Sequence, residues 1–342
     1  MEKRVLVGTA VLFLLIANVH GGGRNQAAST PEPAGARTET LRMVTGNITG
    51  NYYSFGLVVA QMLGDRLNIP ISVKSTGASK ANIELIDAGE ADIAIVQNDV
   101  MHYAQYGMDL FNGERITSFS TMAALYPEIC QIVVNTASGI RSVDDLRGKH
   151  VSVGEAGSGT EFNAREILEV YNIDLRDIRK ENYSFAASAE ALRNNTIDAF
   201  FCIAGTPTPV INDLISHGDY TILDIDDVHA SQLIRNHPFY SRTTIPAETY
   251  RGQSTEIYTV AVKAAIIVSS SLSEEIVYQL TKGFFDSLVD IEQAHVKGSE
   301  VSILSAIEGI SIPYHSGALR YYSEFGLSPL IFLPRIVPGS VR

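Results

Sequence analysis

A unit of strand, glycine-bearing loop and helix occurs twice in this sequence, and this repeat constrains the fold more than any other feature. In the first copy, an apolar run at residues 41–45 leads into a loop that carries Gly46 and Gly50. A helix is expected from about Tyr52, because apolar side chains recur there every three or four residues, and Asn51 is its expected N-cap. This order is typical of an α/β lobe.

The second copy has the same order of elements. The strand is expected at 151–154 and the loop at 155–159, and Ser158 with Glu161 matches the capping box that begins many helices. Equivalent landmarks (a strand end, a helix start and the Asp before a strand) are separated by nearly equal numbers of residues: Val44 and Val153 by 109, Ser79 and Ser188 by 109, and Asp92 and Asp198 by 106. The sequence therefore predicts two related α/β lobes with parallel sheets. Chance similarity of two α/β segments is the alternative.

The remainder of the chain is expected to return to the first lobe. Residues 256–268 are predicted to form one or two strands, and a long helix is predicted over 273–297 with Ser273 as its N-cap. The expected organisation is a first lobe at 41–128 plus 250–330, a second lobe at 129–249, and a C-terminal tail at 331–342. A chain that leaves a lobe and returns crosses between the lobes at least twice. Such crossings make a hinge, and ligands prefer the crevice beside it.

The N-terminus has the pattern of a secretory signal. Lys3 and Arg4 precede an apolar run at 5–17, which predicts a signal peptide at 1–21 and a flexible linker at 22–40. The run is shorter than the roughly 20 residues that span a bilayer. We therefore expect an exported periplasmic protein that is soluble after signal cleavage. A buried N-terminal strand or helix is the alternative.

Composition argues against several classes of function. The 342 residues carry a formal net charge of −12, whereas a nucleic-acid binder needs a basic face. The two cysteines, Cys130 and Cys202, are expected either to pair or to be buried thiols. The histidines lack metal-binding spacing, so no metal and no cofactor is expected. The chain is predicted not to be an enzyme; a secreted serine hydrolase, the alternative, would use Ser158 with His315 but lacks the G-x-S-x-G motif.

The two glycine loops are candidate anion sites. Each precedes a helix N-terminus, where about four backbone N–H groups lack helical partners and about half a positive charge is present. One terminus contributes about 0.3–1 kcal/mol, or ~2 when partly buried, whereas micromolar binding needs about 8 kcal/mol. Several charge-assisted hydrogen bonds in a closed cleft would therefore be required. The alternative is that the glycines only form tight turns and Ser158 only caps its helix.

Short motifs in order along residues 41–326 resemble the TAXI family, the solute-binding proteins of tripartite ATP-independent periplasmic (TRAP) transporters. The motifs occupy residues 45–53, 76–82, 89–100, 145–149, 157–161, 198–207, 245–250 and 312–324. The resemblance implies a type II periplasmic-binding-protein fold, with two α/β lobes joined by crossing hinge strands and a cleft between them. It implies capture of a small organic anion, either a glutamate-like amino acid or a dicarboxylate such as 2-oxoglutarate, and delivery to TRAP membrane permease subunits. We expect a monomer. A sensor that presents its ligand to a receptor is the alternative.

The resemblance also implies a set of ligand-binding residues. Carried over position by position, they are Thr45, Gly46, Tyr52, Tyr53, Ser79, Asn82, Gln97, Asp99, Ser158, Gly159, Thr160 and Gly205. The segment 158–160 would donate N–H and hydroxyl groups to a carboxylate. Ser79 and Asn82 would serve a second polar group, and Tyr52 or Tyr53 would form a wall. Asp99 would accept from a ligand ammonium or, equally, cap a helix.

Overall fold

The computed structural model describes residues 40–331, in which the chain forms ten strands and ten α-helices. The strands are β1 (Leu41–Val44), β2 (Ile71–Lys74), β3 (Ile93–Gln97), β4 (Phe119–Asn135), β5 (His150–Ser152), β6 (Arg179–Glu181), β7 (Ala199–Ala204), β8 (Tyr220–Leu223), β9 (Ser241–Ile245) and β10 (Ile257–Ser269). The helices are α1 (Asn51–Leu67), α2 (Ser79–Asp87), α3 (Asn98–Tyr106), α4 (Gly159–Val170), α5 (Phe185–Arg193), α6 (Pro209–Ser216), α7 (Asp227–Asn236), α8 (Glu274–Asp286), α9 (Leu288–Ala294) and α10 (Ser316–Glu324). The predicted signal peptide, all of the linker but its last residue, and all but the first residue of the predicted tail lie outside the described residues.

The predicted repeat is visible in the sheet topology. In the first lobe β1 lies between β2 and β3, and both pairings are parallel. In the second lobe β5 lies between β6 and β7, again with two parallel pairings. All five residues of β3 and all six of β7 are buried, as expected of strands covered on both faces. The two lobes therefore share one βαβ order.

Two long strands join the lobes. The 17-residue β4 and the 13-residue β10 are antiparallel neighbours at the centre of the sheet, whose order is β2-β1-β3-β10-β4-β7-β5-β6. The C-terminal half of β10 pairs with β3, and the C-terminal half of β4 pairs with β7. Each strand thus belongs to both lobes, which confirms the two expected crossings. The sequence pattern predicted β10 but not β4.

Two predicted helix starts are wrong. The N-cap of α1 is Gly50 rather than Asn51, and Asn51 is its first residue. Helix α5 begins at Phe185 rather than at Ser188, because the hydroxyl of Ser184 accepts from the backbone N–H of Ala187 at 3.2 Å and starts the helix earlier. The equivalent helices α2 and α5 therefore begin 106 residues apart, in agreement with the aspartate spacing.

The long helix predicted over 273–297 is interrupted. Ser273 caps α8 as predicted, but the helix ends at Ser287, which also precedes α9; a 3₁₀ segment, Val296–Glu300, follows. The guanidinium of Arg66 on α1 donates to the Ser287 hydroxyl at 3.0 Å and holds it at the break. The apolar spacing continues through this point, so the pattern gave no sign of the interruption.

The core contains both cysteines. Cys130 and Cys202 are buried free thiols, the second of the two predicted states, and burial raises the pKa of each. Among residues 40–331, no helix is both long and apolar enough to cross a bilayer.

Candidate functional site

A small cavity of about 40 Å³ lies between the two lobes. Both lobes and the crossing strand β4 contribute side chains to it. The lining residues are Gly46, Asn47, Gly50, Asn51, Tyr52, Gly77, Ala78, Ser79, Gln97, Glu128, Glu155, Ser158, Gly159, Thr160, Phe185, Ile203 and Ala204. By volume the space accepts only a few water-sized groups. The lobes are therefore closed on one another in this structure.

Three helix N-termini converge on this cavity. In α1, α2 and α4 both the N-cap and the first helical residue line the cavity: Gly50 and Asn51, Ala78 and Ser79, and Ser158 and Gly159 respectively. The first N–H groups of a helix have no intrahelical acceptors and carry partial positive charge. Three such termini around one cavity form an environment that favours an anion.

The start of α4 leaves its donors available. The hydroxyl of Ser158 accepts from the N–H of Glu161 at 3.2 Å, as a capping box requires. The other half of the box is absent, because the Glu161 carboxylate accepts from the N–H of Gly157 at 2.7 Å instead. The N–H groups of Gly159 and Thr160, at the first two helical positions, have no partners within the helix. These two groups and the Ser158 O–H can donate to a ligand.

Gly159 permits a very close approach between the lobes. A Cβ atom at this position would lie 1.2 Å from Oε1 of Gln97, at the end of β3 in the other lobe. The nearby backbone also crosses the cleft, since the N–H of Lys80 donates to the carbonyl of Gly157 at 3.3 Å. With Gln97 in its present position, only glycine fits at position 159.

Beside the cavity lies a second set of buried polar groups, the interlobe network. Asn163 on α4 is its centre: Oδ1 accepts from Nε2 of Gln97 at 2.9 Å, and Nδ2 donates to Oδ2 of Asp99 and to the hydroxyl of Tyr240, both at 2.6 Å. The carboxylate of Glu166 accepts from Tyr240 at 2.6 Å. The network continues to α3, where the hydroxyl of Tyr103 donates to Glu166 at 2.6 Å. Side chains from both lobes are therefore joined by this network.

Two carboxyls of the network have raised pKa values. Burial, and next the nearby charge of Glu166, raise the pKa of Asp99 to about 7, against the effect of the hydrogen bond from Asn163. Burial raises the pKa of Glu166 to about 7, against the effects of Tyr103 and Tyr240. Both side chains are buried and hydrogen-bonded.

Glu128 is a buried carboxyl outside the interlobe network. It lies in the centre of the crossing strand β4 and lines the cavity. Burial raises the pKa of Glu128 to about 8, with Tyr52 and Lys297 opposing the shift. Lys297 is itself buried and forms its ion pair with Glu300. Among residues 40–331, no Lys, Arg or His side chain lies within ion-pair distance of Glu128.

The structure brings seven of the twelve predicted site residues to the cavity wall. They are Gly46, Tyr52, Ser79, Gln97, Ser158, Gly159 and Thr160. Six of the seven belong to the glycine loops and helix starts on which the sequence argument depended, and Gln97 ends β3.

The other five predicted residues do not line the cavity, and ligand contact by any of the twelve stays a prediction. Thr45 and Asn82 bind each other, since the Asn82 amide donates to the Thr45 carbonyl and also to the Ile95 carbonyl. Asp99 belongs to the interlobe network. Gly205 packs on Lys297, whose Cε would lie 2.5 Å from an added Cβ. Tyr53 is half-buried on α1.

Sequence reasoning missed several lining residues, of which Glu128 and Glu155 are the charged ones. Glu155 is half-buried and accepts a hydrogen bond from the amide of Asn47 in the other lobe. Glu128 had one signal in the sequence, a lone charge in the largely apolar run 122–134. Because β4 was not predicted, that charge had no assigned position.

The predicted alternative pair, Ser158 with His315, is not assembled at the cavity. His315 precedes α10: its Nδ1 accepts from the N–H of Gly317 at 3.2 Å, and its Nε2 lies 3.1 Å from the carbonyl of Leu272. Both ring nitrogens therefore have backbone partners at a helix start. Ser158 lines the cavity and His315 does not.

The sequence matches a known family over most of its length. Residues 43–326 match the model of the NMT1-like family. The chain belongs to the NMT1-like family.

Solved structures of similar fold support the architecture of this NMT1-like protein. The alkanesulfonate-binding protein SsuA from Xanthomonas axonopodis pv. citri, bound to MOPS, has a TM-score of 0.51 at 16% identity, over 85% of this chain and 80% of that one. PhnD1 from Prochlorococcus marinus (MIT 9301), in complex with methylphosphonate, has a TM-score of 0.52 at 10% identity, over 75% and 88%. A structure described as a periplasmic transporter has a TM-score of 0.53 at 14% identity, over 76% and 87%.

The fold is thus the type II periplasmic-binding-protein fold, as the resemblance implied. Two α/β lobes are joined by the crossing strands β4 and β10, with a cleft between them. The predicted boundaries of the lobes, near residues 128 and 249, stay predictions.

Proposed function

We propose that this protein is an extracytoplasmic solute-binding protein that captures a small organic anion in the interlobe cleft. The observation that carries the proposal is the convergence of three helix N-termini, those of α1, α2 and α4, on one cavity. Each terminus contributes at most about 2 kcal/mol when partly buried, so three termini with the N–H and hydroxyl donors of residues 158–160 approach the roughly 8 kcal/mol of micromolar binding.

Structural neighbours favour the same class of ligand. One is described as alkanesulfonate-binding and another is complexed with methylphosphonate. Sulfonate and phosphonate groups are anions that backbone N–H groups bind well. Binding between closing lobes, rather than catalysis, is the role that this arrangement supports.

The finer assignment follows the TAXI resemblance. In this proposal the protein is exported to the periplasm, works as a monomer, and delivers its ligand to the membrane permease of a TRAP-type secondary transporter. Glutamate-like amino acids and dicarboxylates are the ligand candidates. A closed cleft is the state that a permease would need to recognise, since only a ligand that contacts both lobes stabilises it.

The direct test is isothermal titration calorimetry of the purified protein against a panel of C4–C5 acids and amino acids. We expect at least one compound to bind with a Kd in the micromolar range or below, and to raise the Tm as its concentration rises. Absence of binding across a broad metabolite panel would contradict the proposal.

A variant pair locates the site. Ser158→Ala removes a hydroxyl at the cavity wall and should weaken ligand binding about tenfold, since one charge-assisted hydrogen bond contributes about 1.5–3 kcal/mol. Ser142→Ala is the matched control, because Ser142 also caps a short helical segment but lies away from the cavity. Equal affinity in the two variants would show that the Ser158 hydroxyl does not hold the ligand.

A further inference from the structure

We propose that Glu128 determines the charge of the ligand, by receiving the protonated amine of a small zwitterion whose carboxylate lies at the N-terminus of α4. This inference rests on the proposed function and makes it narrower. It assigns amino-acid-like ligands, rather than dicarboxylates, to the cleft.

The first observation is the charge of the cavity wall. Two of the lining residues carry carboxyl groups, Glu128 and Glu155, and none of the lining residues is Lys, Arg or His. Glu155 already accepts a hydrogen bond from Asn47, whereas Glu128 has no cationic partner among the described residues. A second ligand carboxylate would find no side-chain cation in this cavity and would meet an acidic group. A ligand amine would supply the cation that the cavity lacks.

The second observation is an excess of unused acceptors. Oδ1 of Asn51 and Oε1 of Gln97 are buried, belong to lining residues, and accept no hydrogen bond within the described part of the chain. The Gln97 amide cannot simply be reversed, because its Nε2 donates to Oδ1 of Asn163, whose own Nδ2 is committed to Asp99. Buried acceptors without donors are rare in proteins. An ammonium group, with three N–H donors and no acceptor, would satisfy them together with Glu128.

The third observation is the position of Glu128 in the fold. It pairs with Val262 in the centre of the two crossing strands, so it lies at the hinge rather than on either lobe alone. The N–H donors of α4 belong to the second lobe. A zwitterion would therefore contact the hinge and a lobe at once and favour closure.

The protonation state of Glu128 predicts whether binding releases or takes up a proton. Burial raises the pKa of Glu128 to about 8, so at pH 7 the empty site holds a proton that an arriving ammonium would displace. The ionisable groups that act on Glu128 from the surrounding elements are Tyr52 on α1, Asp99 on α3, Tyr126 on β4, Cys202 on β7 and Lys297 in the 3₁₀ segment. Lys297 is the single cation of this set and is already paired. Binding of an amine should therefore release a proton near pH 7, whereas a dicarboxylate should release none.

The experiment compares ligands that differ only in the amine: L-glutamate with glutarate, L-aspartate with succinate, and L-alanine with propionate. Calorimetry of the full chain at pH 7 should show at least tenfold tighter binding of the amine in at least one pair. Its enthalpy in phosphate and Tris buffers should differ by the ionisation heat of about one released proton. This arm needs no variant, so it does not depend on how a substitution folds.

The variant arm uses Glu128→Gln, with Glu90→Gln as the control, because Glu90 is an exposed carboxyl that does not line the cavity. Glu128→Gln should remove the preference for the amine and the proton release, and Glu90→Gln should keep both. Tighter binding of an amine-free acid, or an unchanged preference in Glu128→Gln, would overturn the inference and leave the proposed function standing. Binding of no member of any pair, nor of any other compound in the broad panel, would overturn both.

Discussion

Two neighbouring groups of buried polar side chains at the lobe interface differ in how completely they are satisfied. In the interlobe network, Asp99 and Glu166 are each hydrogen-bonded by side chains of the other lobe or of their own. At the cavity, Glu128 lacks a cation, and Asn51 and Gln97 have unused acceptors. A buried polar group costs free energy unless it is paired. The network is therefore paired without a ligand, whereas the cavity groups would gain partners only from one.

Gly159→Ala should have the largest effect, because it acts where the two groups meet. Its Cβ would displace Gln97, which belongs to the network through Nε2 and to the cavity through Oε1. We expect the lobes to stop closing and ligand affinity to fall by about 100-fold or more, a loss of about 3 kcal/mol. Calorimetry with the ligand found in the panel measures it.

Gly77→Ala is the control for that variant. Gly77 lines the same cavity, but an added Cβ would meet no atom within 4 Å. It should bind within about threefold of the wild type, a difference of about 0.7 kcal/mol. If Gly159→Ala binds equally well, the closed arrangement is not the ligand-bound one.

Asn163→Ala should be the most damaging change in the network. It removes the hydrogen bonds to Gln97, Asp99 and Tyr240 and leaves three buried groups without that partner. We expect the free energy of unfolding to fall by about 3 kcal/mol. Urea denaturation measures this, with Asn194→Ala as control, since the Asn194 amide is exposed and bonds only Glu190 within the described residues. A loss below about 1 kcal/mol would show that the network contributes little to stability.

The pH dependence of stability separates the two groups of acids. In the folded state the pKa values of Asp99 and Glu166 are about 7 and that of Glu128 about 8, all above unfolded values near 4. The folded state therefore binds more protons, so stability must fall as pH rises through 7 to 8.5, by on the order of 2 kcal/mol without ligand. Four histidines have lowered pKa values in the folded state, so their contribution makes stability rise with pH: His102, His237, His295 and His315. That rise lies mainly below their unfolded pKa of about 6.5, outside the range of about pH 7 to 8.5.

Two variants show which carboxyls cause this fall in the free energy of unfolding, measured by urea denaturation between pH 7 and 8.5. Glu128→Gln should remove about half of the loss, because the higher pKa of Glu128 keeps it protonated over more of this range, and Glu166→Gln should remove a smaller part. Stability that stays constant or rises over this range would show that these carboxyls are ionised in the folded protein.

A pair of tyrosine substitutions should have the smallest effect. The hydroxyl of Tyr240 donates to Glu166, whereas that of Tyr52, which burial and the nearby Glu128 keep protonated, makes no well-formed hydrogen bond. Tyr240→Phe should lower the free energy of unfolding by about 1 kcal/mol, and Tyr52→Phe should change it by less than about 0.5 kcal/mol. Thermal unfolding without ligand measures both. A larger loss in Tyr52→Phe would remove the contrast between the network and the cavity.

The sequence predicted more of the cavity wall than of its surroundings. Gly46, Ser79 and the segment 158–160 could be found because a strand, a glycine loop and a capped helix leave a local pattern. Asn163 and Glu166 could not, because their partners are more than 60 residues away and their positions on α4 look like any amphipathic helix. Asp99 was predicted to meet a ligand ammonium or to cap a helix; in the structure its carboxylate accepts from the Val100 N–H in the first turn of α3 and from the Asn163 amide of the other lobe.

By itself, the sequence determined the two α/β lobes, because strand and helix periods are local and the second copy repeats the first about 106–109 residues later. It also determined that helix N-termini could receive an anion. Only the tertiary structure decided that three termini meet, that Gln97 takes the space of a missing Cβ at Gly159, and that β4 carries Glu128 to the hinge. These depend on contacts between residues distant in sequence, and no local pattern records which buried charge is left without a partner.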